Sequence, residues 1–250
     1  MTTAINKKVG LFLVIFVFAY LSLRADSLDE IKKSYIYGDY NEVIRLCLDR
    51  LEQKTDDGTL YFIALSFSRL GDYTAARVYF RRLLKEFKGS SFYEKALVRL
   101  VDTYFLEGDL TKAETLYKSI IKKYPQIAYK PLICLRLAQI YAKKGHWDKM
   151  HHYINIIKAN YRGSFESQLA GRLEKRGDFF TIQVGAFSKK ANALSFARQL
   201  RHKYPVYVVG EKENDFTLYK VRVGKYKNRN TAEKIFNSLL NDGYPARIYP

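Results

Sequence analysis

Gly38-Asp39-Tyr40, Gly71-Asp72-Tyr73, Gly108-Asp109-Leu110 and Gly145-His146-Trp147 recur along the chain, with their glycines 33, 37 and 37 residues apart. Each triplet sits between two stretches of helical periodicity. A Gly there can take the left-handed conformation that ends one helix, and the polar residue after it can open the next. Around Gly71 the first helix is expected to present Leu60, Ile63, Ala64 and Phe67, and the second Ala76, Phe80 and Leu83. These are the i, i+3, i+4, i+7 faces of an amphipathic pair. Around Gly108 the same slots hold Leu97, Leu100, Val101 and Tyr104, then Ala113, Tyr117 and Ile120, with Pro125 closing the unit. Around Gly145 they hold Cys134, Leu137, Ala138 and Tyr141, then Met150, Ile154 and Ile157. The first unit, with Ile31, Ser34, Val43 and Cys47 in these slots, reads as a degenerate capping repeat. Four hairpins are therefore expected over 28–165.

This pattern resembles the tetratricopeptide repeat (TPR), a unit of about 34 residues with a small residue in the first helix and Ala and an aromatic in the second. The resemblance implies an array with a concave groove that takes an unidentified protein partner. The Tyr and Phe residues read as core by their spacing. His146, His151 and His152 lack the helical i, i+4 pairing with a carboxylate that zinc sites use, so no metal and no cofactor is expected. Cys47 and Cys134 fall on apolar helix faces and read as buried free thiols, with one disulfide between them as the alternative.

Beyond a charged linker expected over 166–177, the periodicity switches from helical to alternating. Over 178–250 the spacing predicts a strand at 179–187, a helix at about 190–204, strands at 206–211 and 216–224, a helix at about 231–241 and a last strand at 246–249. Glu213-Asn214-Asp215 forms the turn between the middle strands, and Asn230 or Thr231 caps the second helix. The first helix is expected to bury Ala193, Leu194, Ala197 and Leu200, the second Ala232, Ile235, Phe236, Leu239 and Leu240. The order is β-α-β-β-α-β, a ferredoxin-like unit with both helices on one face. Alternation then sends Ile182, Val184, Tyr219, Val221 and Val223 to the helices. It leaves Thr181, Gln183 and Gly185 beside Leu218, Lys220 and Arg222 on the open face, with Ile248 joining from the last strand.

Two runs carry a second resemblance: Phe180-Thr181-Ile182-Gln183-Val184-Gly185-Ala186-Phe187 and Leu218-Tyr219-Lys220-Val221-Arg222-Val223-Gly224. They are similar to the SPOR family's aromatic-x-x-Gln-x-Gly-x-Phe first strand and Tyr-Arg-Val-x-Val-Gly third strand. The resemblance covers 179 onward and implies binding of septal peptidoglycan, preferentially glycan strands stripped of stem peptides, through the open sheet face. Gln183 stands at the family's glutamine, Lys220 where an Arg is frequent, and Ile248 at an apolar last-strand position; Ala186 departs from a common Ser. The implied peptidoglycan-binding set is Gln183, Gly185, Leu218, Lys220, Arg222 and Ile248. Gln offers a donor and an acceptor to N-acetyl groups, and Lys and Arg pair with muramyl carboxylates.

The whole chain, 250 residues with 48% hydrophobic and 27% charged, is long enough for two cores. Its net charge of +18 favours polyanionic surroundings; residues from Asp178 on hold 13 basic against 6 acidic side chains, so the excess reads as spread along the chain. Lys7-Lys8, the apolar run 9–23 and Arg24-Ala25-Asp26 have the build of an export signal over 1–25. Cleavage places the protein in the periplasm; retention as an inner-membrane anchor facing the periplasm is the alternative. The expected whole is a two-domain chain, an all-α TPR-like hairpin array followed by an α+β ferredoxin-like SPOR domain. It is expected to act without catalysis at the cell envelope and division site. The rival, a nucleic-acid binder of RRM topology, needs aromatic residues on the middle strands, where Leu218, Lys220 and Arg222 stand instead. A wall hydrolase needs paired acid and base groups, and no such pair or nucleophile constellation is legible. An assembly or division scaffold merely localised by the SPOR domain stays open.

Overall fold

The computed structural model describes residues 28–213 and 216–250. The expected export segment lies outside the described residues, as do Asn214 and Asp215 of the expected turn. The described residues divide into two compact units, the first ending at Tyr129 and the second running over Lys130–Pro250.

In the first unit, three hairpins pair α1 (Leu28–Tyr37) with α2 (Tyr40–Gln53), α3 (Asp57–Arg69) with α4 (Tyr73–Glu86), and α5 (Tyr93–Glu107) with α6 (Leu110–Lys123). The Gly-Asp pairs make these turns by a division of labour. Gly38, Gly71 and Gly108 take φ of 83°, 85° and 97°, which closes the first helix. The carboxylates of Asp39, Asp72 and Asp109 then accept from the backbone N–H of Glu42, Ala75 and Lys112 at 3.1, 2.9 and 2.9 Å, satisfying a donor that every helix start leaves open.

The expected faces around Gly71 are buried, with Phe67 half-buried and stacked on Tyr79 at 5.7 Å between ring centroids. Ile31, Val43 and Cys47 of the first hairpin are buried too, and Ser34 is half-buried. The third hairpin departs from expectation. Val101, Ala113, Tyr117 and Ile120 are buried, but Leu97, Leu100 and Tyr104 only half so, while Ala96, Val98, Asp102 and Thr103 are buried in their place. Helix α5 is packed by α4 as well as by α6, so it hides two faces rather than one stripe. The buried Asp102 carboxylate accepts from the Tyr117 hydroxyl at 2.5 Å and from Arg99 at 2.8 Å, which offsets the cost of its burial.

The second unit opens with the fourth hairpin, α7 (Lys130–Lys144) and α8 (Trp147–Asn160). Gly145 has φ 73°, but His146 at the N-cap makes no side-chain cap bond. The seven expected core residues of this hairpin are buried. The stretch expected to be a linker instead carries α9 (Phe165–Glu174). The Ser164 hydroxyl caps it by accepting from the Ser167 N–H at 3.0 Å, Ala170 is fully buried, and the helix packs on both α7 and α8. Leu169, Ala170 and Leu173 supply the apolar side among charged neighbours that mask it in the sequence.

The remainder is β1 (Phe180–Phe187), α10 (Lys190–Leu200), β2 (Val206–Glu213), β3 (Phe216–Tyr226), α11 (Arg229–Asn241) and β4 (Arg247–Tyr249). The strands pair antiparallel in the order β2-β3-β1-β4, the expected ferredoxin-like arrangement. Its core joins Ile182, Val184, Val221 and Val223 of the sheet to Ala193, Ala197 and Leu200 of α10 and Leu239 of α11. Helix α10 stops at Leu200, short of Tyr204, whose hydroxyl lies 2.6 Å from the Asp242 carboxylate and 2.9 Å from Ser238 Oγ. The N-cap of α11 is Asn228, accepting from the Asn230 N–H at 2.8 Å, two residues before the nearer of the two expected caps. Leu194 and Leu240 stand 38% and 46% exposed at the edges of their helices instead of in the core.

The fourth hairpin is docked on this sheet domain. Phe180 is fully buried, with the Trp147 ring 5.2 Å away. The Trp147 indole N–H donates to the Lys227 carbonyl at 3.3 Å, Arg229 donates to the Lys143 carbonyl at 2.7 Å, and a His151 ring nitrogen lies 2.9 Å from the Asp178 carboxylate. A Cβ on Gly145 would stand 2.9 Å from Cε2 of Phe180, whereas one on Gly108 would meet nothing within 4 Å. Gly108→Ala is therefore expected to cost about 1 kcal/mol, from its left-handed backbone alone. Gly145→Ala is expected to cost distinctly more, because Phe180 must also move. Thermal unfolding of the two variants in the full chain checks this, and equal losses would show that Phe180 yields freely.

Candidate functional site

Strand register decides which side chains share the open face, and β1 breaks its own alternation. Gln183 pairs with Arg222 and Gly185 with Val221, so Val184 is an extra residue, a β-bulge. Val221 belongs to the helix-side core, and a Cβ on Gly185 would point at Phe187 and Phe196, 2.8 and 3.4 Å away on that side. Gly185 is thus on the helix side, contrary to expectation, and Ala186, paired with Lys220, is on the open face. Ile248 is corrected in the same way. It pairs with Ile182 and packs into the helix-side core, so β4 offers Arg247 and Tyr249 to the open face instead.

The other four expected residues do come together. Gln183, Leu218, Lys220 and Arg222 line a recess of about 160 Å³. Phe179, Tyr249 and Arg176 border it, and Thr181 lies at its floor, 3% exposed. The Thr181 hydroxyl is 2.9 Å from that of Tyr207. Lys225 Nζ sits 5.0 Å from the Phe179 ring and 5.6 Å from the Tyr207 ring. Two aromatic rings and a cation thus form one rim of the face. The Gln183 amide has no hydrogen-bond partner among the described residues.

Glu211 is the residue the sequence reading missed. It lies opposite Leu218 on the edge strand β2, its carboxylate accepting from Lys220 Nζ on Oε2 at 2.6 Å and from Arg222 Nη2 on Oε1 at 2.5 Å. Alternation along β2 from the core residue Val206 would have found Tyr207 and Glu211 together; β4, three residues long, gave no period to read. Burial alone would push the Glu211 carboxyl up. The Lys220 hydrogen bond and the charges of Arg222, Lys220 and Arg176 outweigh it and hold the group below the usual glutamate range. The contact therefore adds stability above the ordinary pKa of 4.5 and loses it as pH falls through the lower folded value. In a carbon-13 pH titration the Glu211 midpoint is expected below 4.5 and to rise in Lys220→Ala; a midpoint unmoved by that substitution would contradict the pairing.

A model of the SPOR domain matches residues 177–247, and one of a tetratricopeptide repeat-like domain matches 49–197. The chain belongs to the tetratricopeptide repeat-like family and carries a SPOR domain. The last part of the repeat match runs over β1 and most of α10, which lie within the SPOR match. Both are non-catalytic domain families, and together they support a binding or scaffold role with a cell-envelope association. Among solved structures, a MamA RS-1 ArsTM double mutant is 16% identical over 59% of this chain and 81% of that one, with a TM-score of 0.46. A crystal structure of MamA is 15% identical over 64% and 86%, also at 0.46, and the P58(IPK) TPR domain is 15% identical over 59% and 55%, at 0.24. No curated protein matches the chain.

The charge is less evenly spread than expected. Residues 28–129 hold 17 Lys plus Arg against 15 Asp plus Glu, and residues 130–250 hold 23 against 9. The surplus belongs to the unit that contains the SPOR domain. Among the described residues no helix is long and apolar enough to cross a membrane, and no cluster of His, Cys, Asp and Glu could hold a metal ion. Burial pushes the thiols of Cys47 and Cys134 up to about 12 and about 11, so both stay protonated at neutral pH.

Proposed function

We propose that this protein is a non-catalytic component of the bacterial cell envelope that binds peptidoglycan glycan strands on the open face of its SPOR sheet and recruits a protein partner through its repeats. The observation that carries this reading is the recess itself. A Gln183 amide without a protein partner lies beside two cations and is bordered by aromatic rings. A glycan needs those elements: a donor and acceptor for N-acetyl groups, positive charge for muramyl carboxylates, and flat apolar surface for sugar faces. The strongly basic unit around it favours a polyanionic wall. The central strands β1 and β3 put Thr181, Gln183, Leu218, Lys220 and Arg222 on this face, not the aromatic platform that RNA stacking requires. Export by the 1–25 segment to the periplasm, cleaved or retained as an inner-membrane anchor, and enrichment at division sites belong to the same proposal.

Pelleting with purified sacculi tests it. Because Phe180 is buried against Trp147, the protein used should retain the fourth hairpin and is best the full chain. Wild type is expected to pellet, and Gln183→Ala with Lys220→Ala to lose roughly tenfold or more in affinity while still unfolding cooperatively, its melting temperature lowered only by the loss of the Lys220–Glu211 contact. A wild-type chain that stays in the supernatant where another SPOR domain pellets would rule the reading out.

A further inference from the structure

The two cations of the recess already have a carboxylate. Glu211 sits two residue pairs along the β2–β3 ladder from Lys220 and four from Arg222, because its own cross-strand partner is Leu218. Both long side chains must therefore lean back along the strand to reach it, at 2.6 and 2.5 Å. Both are hydrogen bonds between a cation and a carboxylate, the charge-assisted kind. For Arg222 the arrangement is incomplete, since its Nε is buried without an acceptor. The Glu211 side chain is 37% exposed and lines the recess, whereas those of Lys220 and Arg222 are 16% and 20% exposed. The carboxylate is thus the more accessible member of the cluster and the one a ligand can displace.

We infer that Glu211 is a built-in competitor: it fills, in the unliganded face, the place of a ligand carboxylate, and binding exchanges one carboxylate for another on Lys220 and Arg222. The inference rests on the glycan-binding reading and adds that the ligand carboxylate binds by exchange against one of the protein's own. In a glycan strand that group is the lactyl carboxylate of the muramyl residue. It is an anion only where the stem peptide has been removed, because an attached stem converts it to a neutral amide. An amide cannot offer two anionic oxygens to an ammonium and a guanidinium, so it does not displace Glu211. Exchange against an internal carboxylate therefore selects stripped strands and keeps affinity for uncharged glycans low.

The test compares full-chain wild type, Glu211→Gln, Glu211→Asp and a charge control, Glu233→Gln. Glu233 pairs with Arg229 within α11, at 44% exposure on both sides. Two probes are used: glycan strands freed of stem peptides by an amidase, and an N-acetylglucosamine oligomer that has no carboxylate. Glu211→Gln is expected to bind the stripped strands about threefold to tenfold more tightly, with the uncharged oligomer unchanged. Glu211→Asp, which keeps the charge but draws it back, falls between, and Glu233→Gln stays at the wild-type value. Weaker binding by Glu211→Gln would overturn the inference, because Glu211 would then be holding the cations in place for the ligand. Equal tightening by Glu211→Gln and Glu233→Gln would also overturn it, leaving only a bulk charge effect. A wild type that binds stripped strands with an affinity that Glu211→Gln does not change defeats this inference alone, whereas a wild type that binds no strands defeats the glycan-binding reading itself.

Discussion

The pairing of β1 with β3 is the constraint on which the site depends. Val184 has no partner on β3, so the strand shifts its alternation between Gln183 and Gly185. One added residue moves every later side chain to the other face. Phe187 thereby reaches the core beside Phe196, and Ala186 lies over Lys220 on the open side. Gln183, before the bulge, keeps its place opposite Arg222. The bulge thus lets one strand feed both an amide to the open face and an aromatic ring to the core, a combination that strict alternation over four residues forbids.

Much of the fold was legible because its signals are local. Gly and Asp at the first three hairpin turns act through the backbone of the next three residues, so Gly71-Asp72 and Gly108-Asp109 announce their turns whatever surrounds them. The strand motifs likewise placed Gln183, Lys220 and Arg222 together. What was hidden depends on pairing. Gly185 and Ile248 were misplaced because a bulge and a three-residue strand are fixed by partners far along the chain. Glu211 was missed because its importance lies in reaching across to another strand. Helix α9 does not stand out from a linker in the sequence because its short apolar side is interrupted by charges, and its stability comes from α7 and α8.

The SPOR sheet is not tethered loosely to the hairpin before it. Trp147, Gly145 and Arg229 close around Phe180 and the β3–α11 connection. The fourth triplet departs from Gly-Asp, with His146 and Trp147 in the slots that Asp and Tyr or Leu hold elsewhere. Trp147 gives the departure a purpose, since its ring covers Phe180 while its N–H reaches the Lys227 carbonyl. A ligand on the sheet and a partner on the fourth hairpin would therefore act on one packed body. That arrangement suits the proposed link between a wall polymer and a second protein.

The central claim is that ligand is held by the bulged open face, and backbone and side-chain NMR of the labelled chain titrated with stripped glycan strands tests it most directly. The account predicts that the Gln183 side-chain amide, the Lys220 and Arg222 head groups and the Tyr249 ring shift with saturation, while the side chains of Ile248 and Ile182 behind the sheet do not. Shifts confined to the helix side, or centred on Ile248 with Gln183 unmoved, would contradict it.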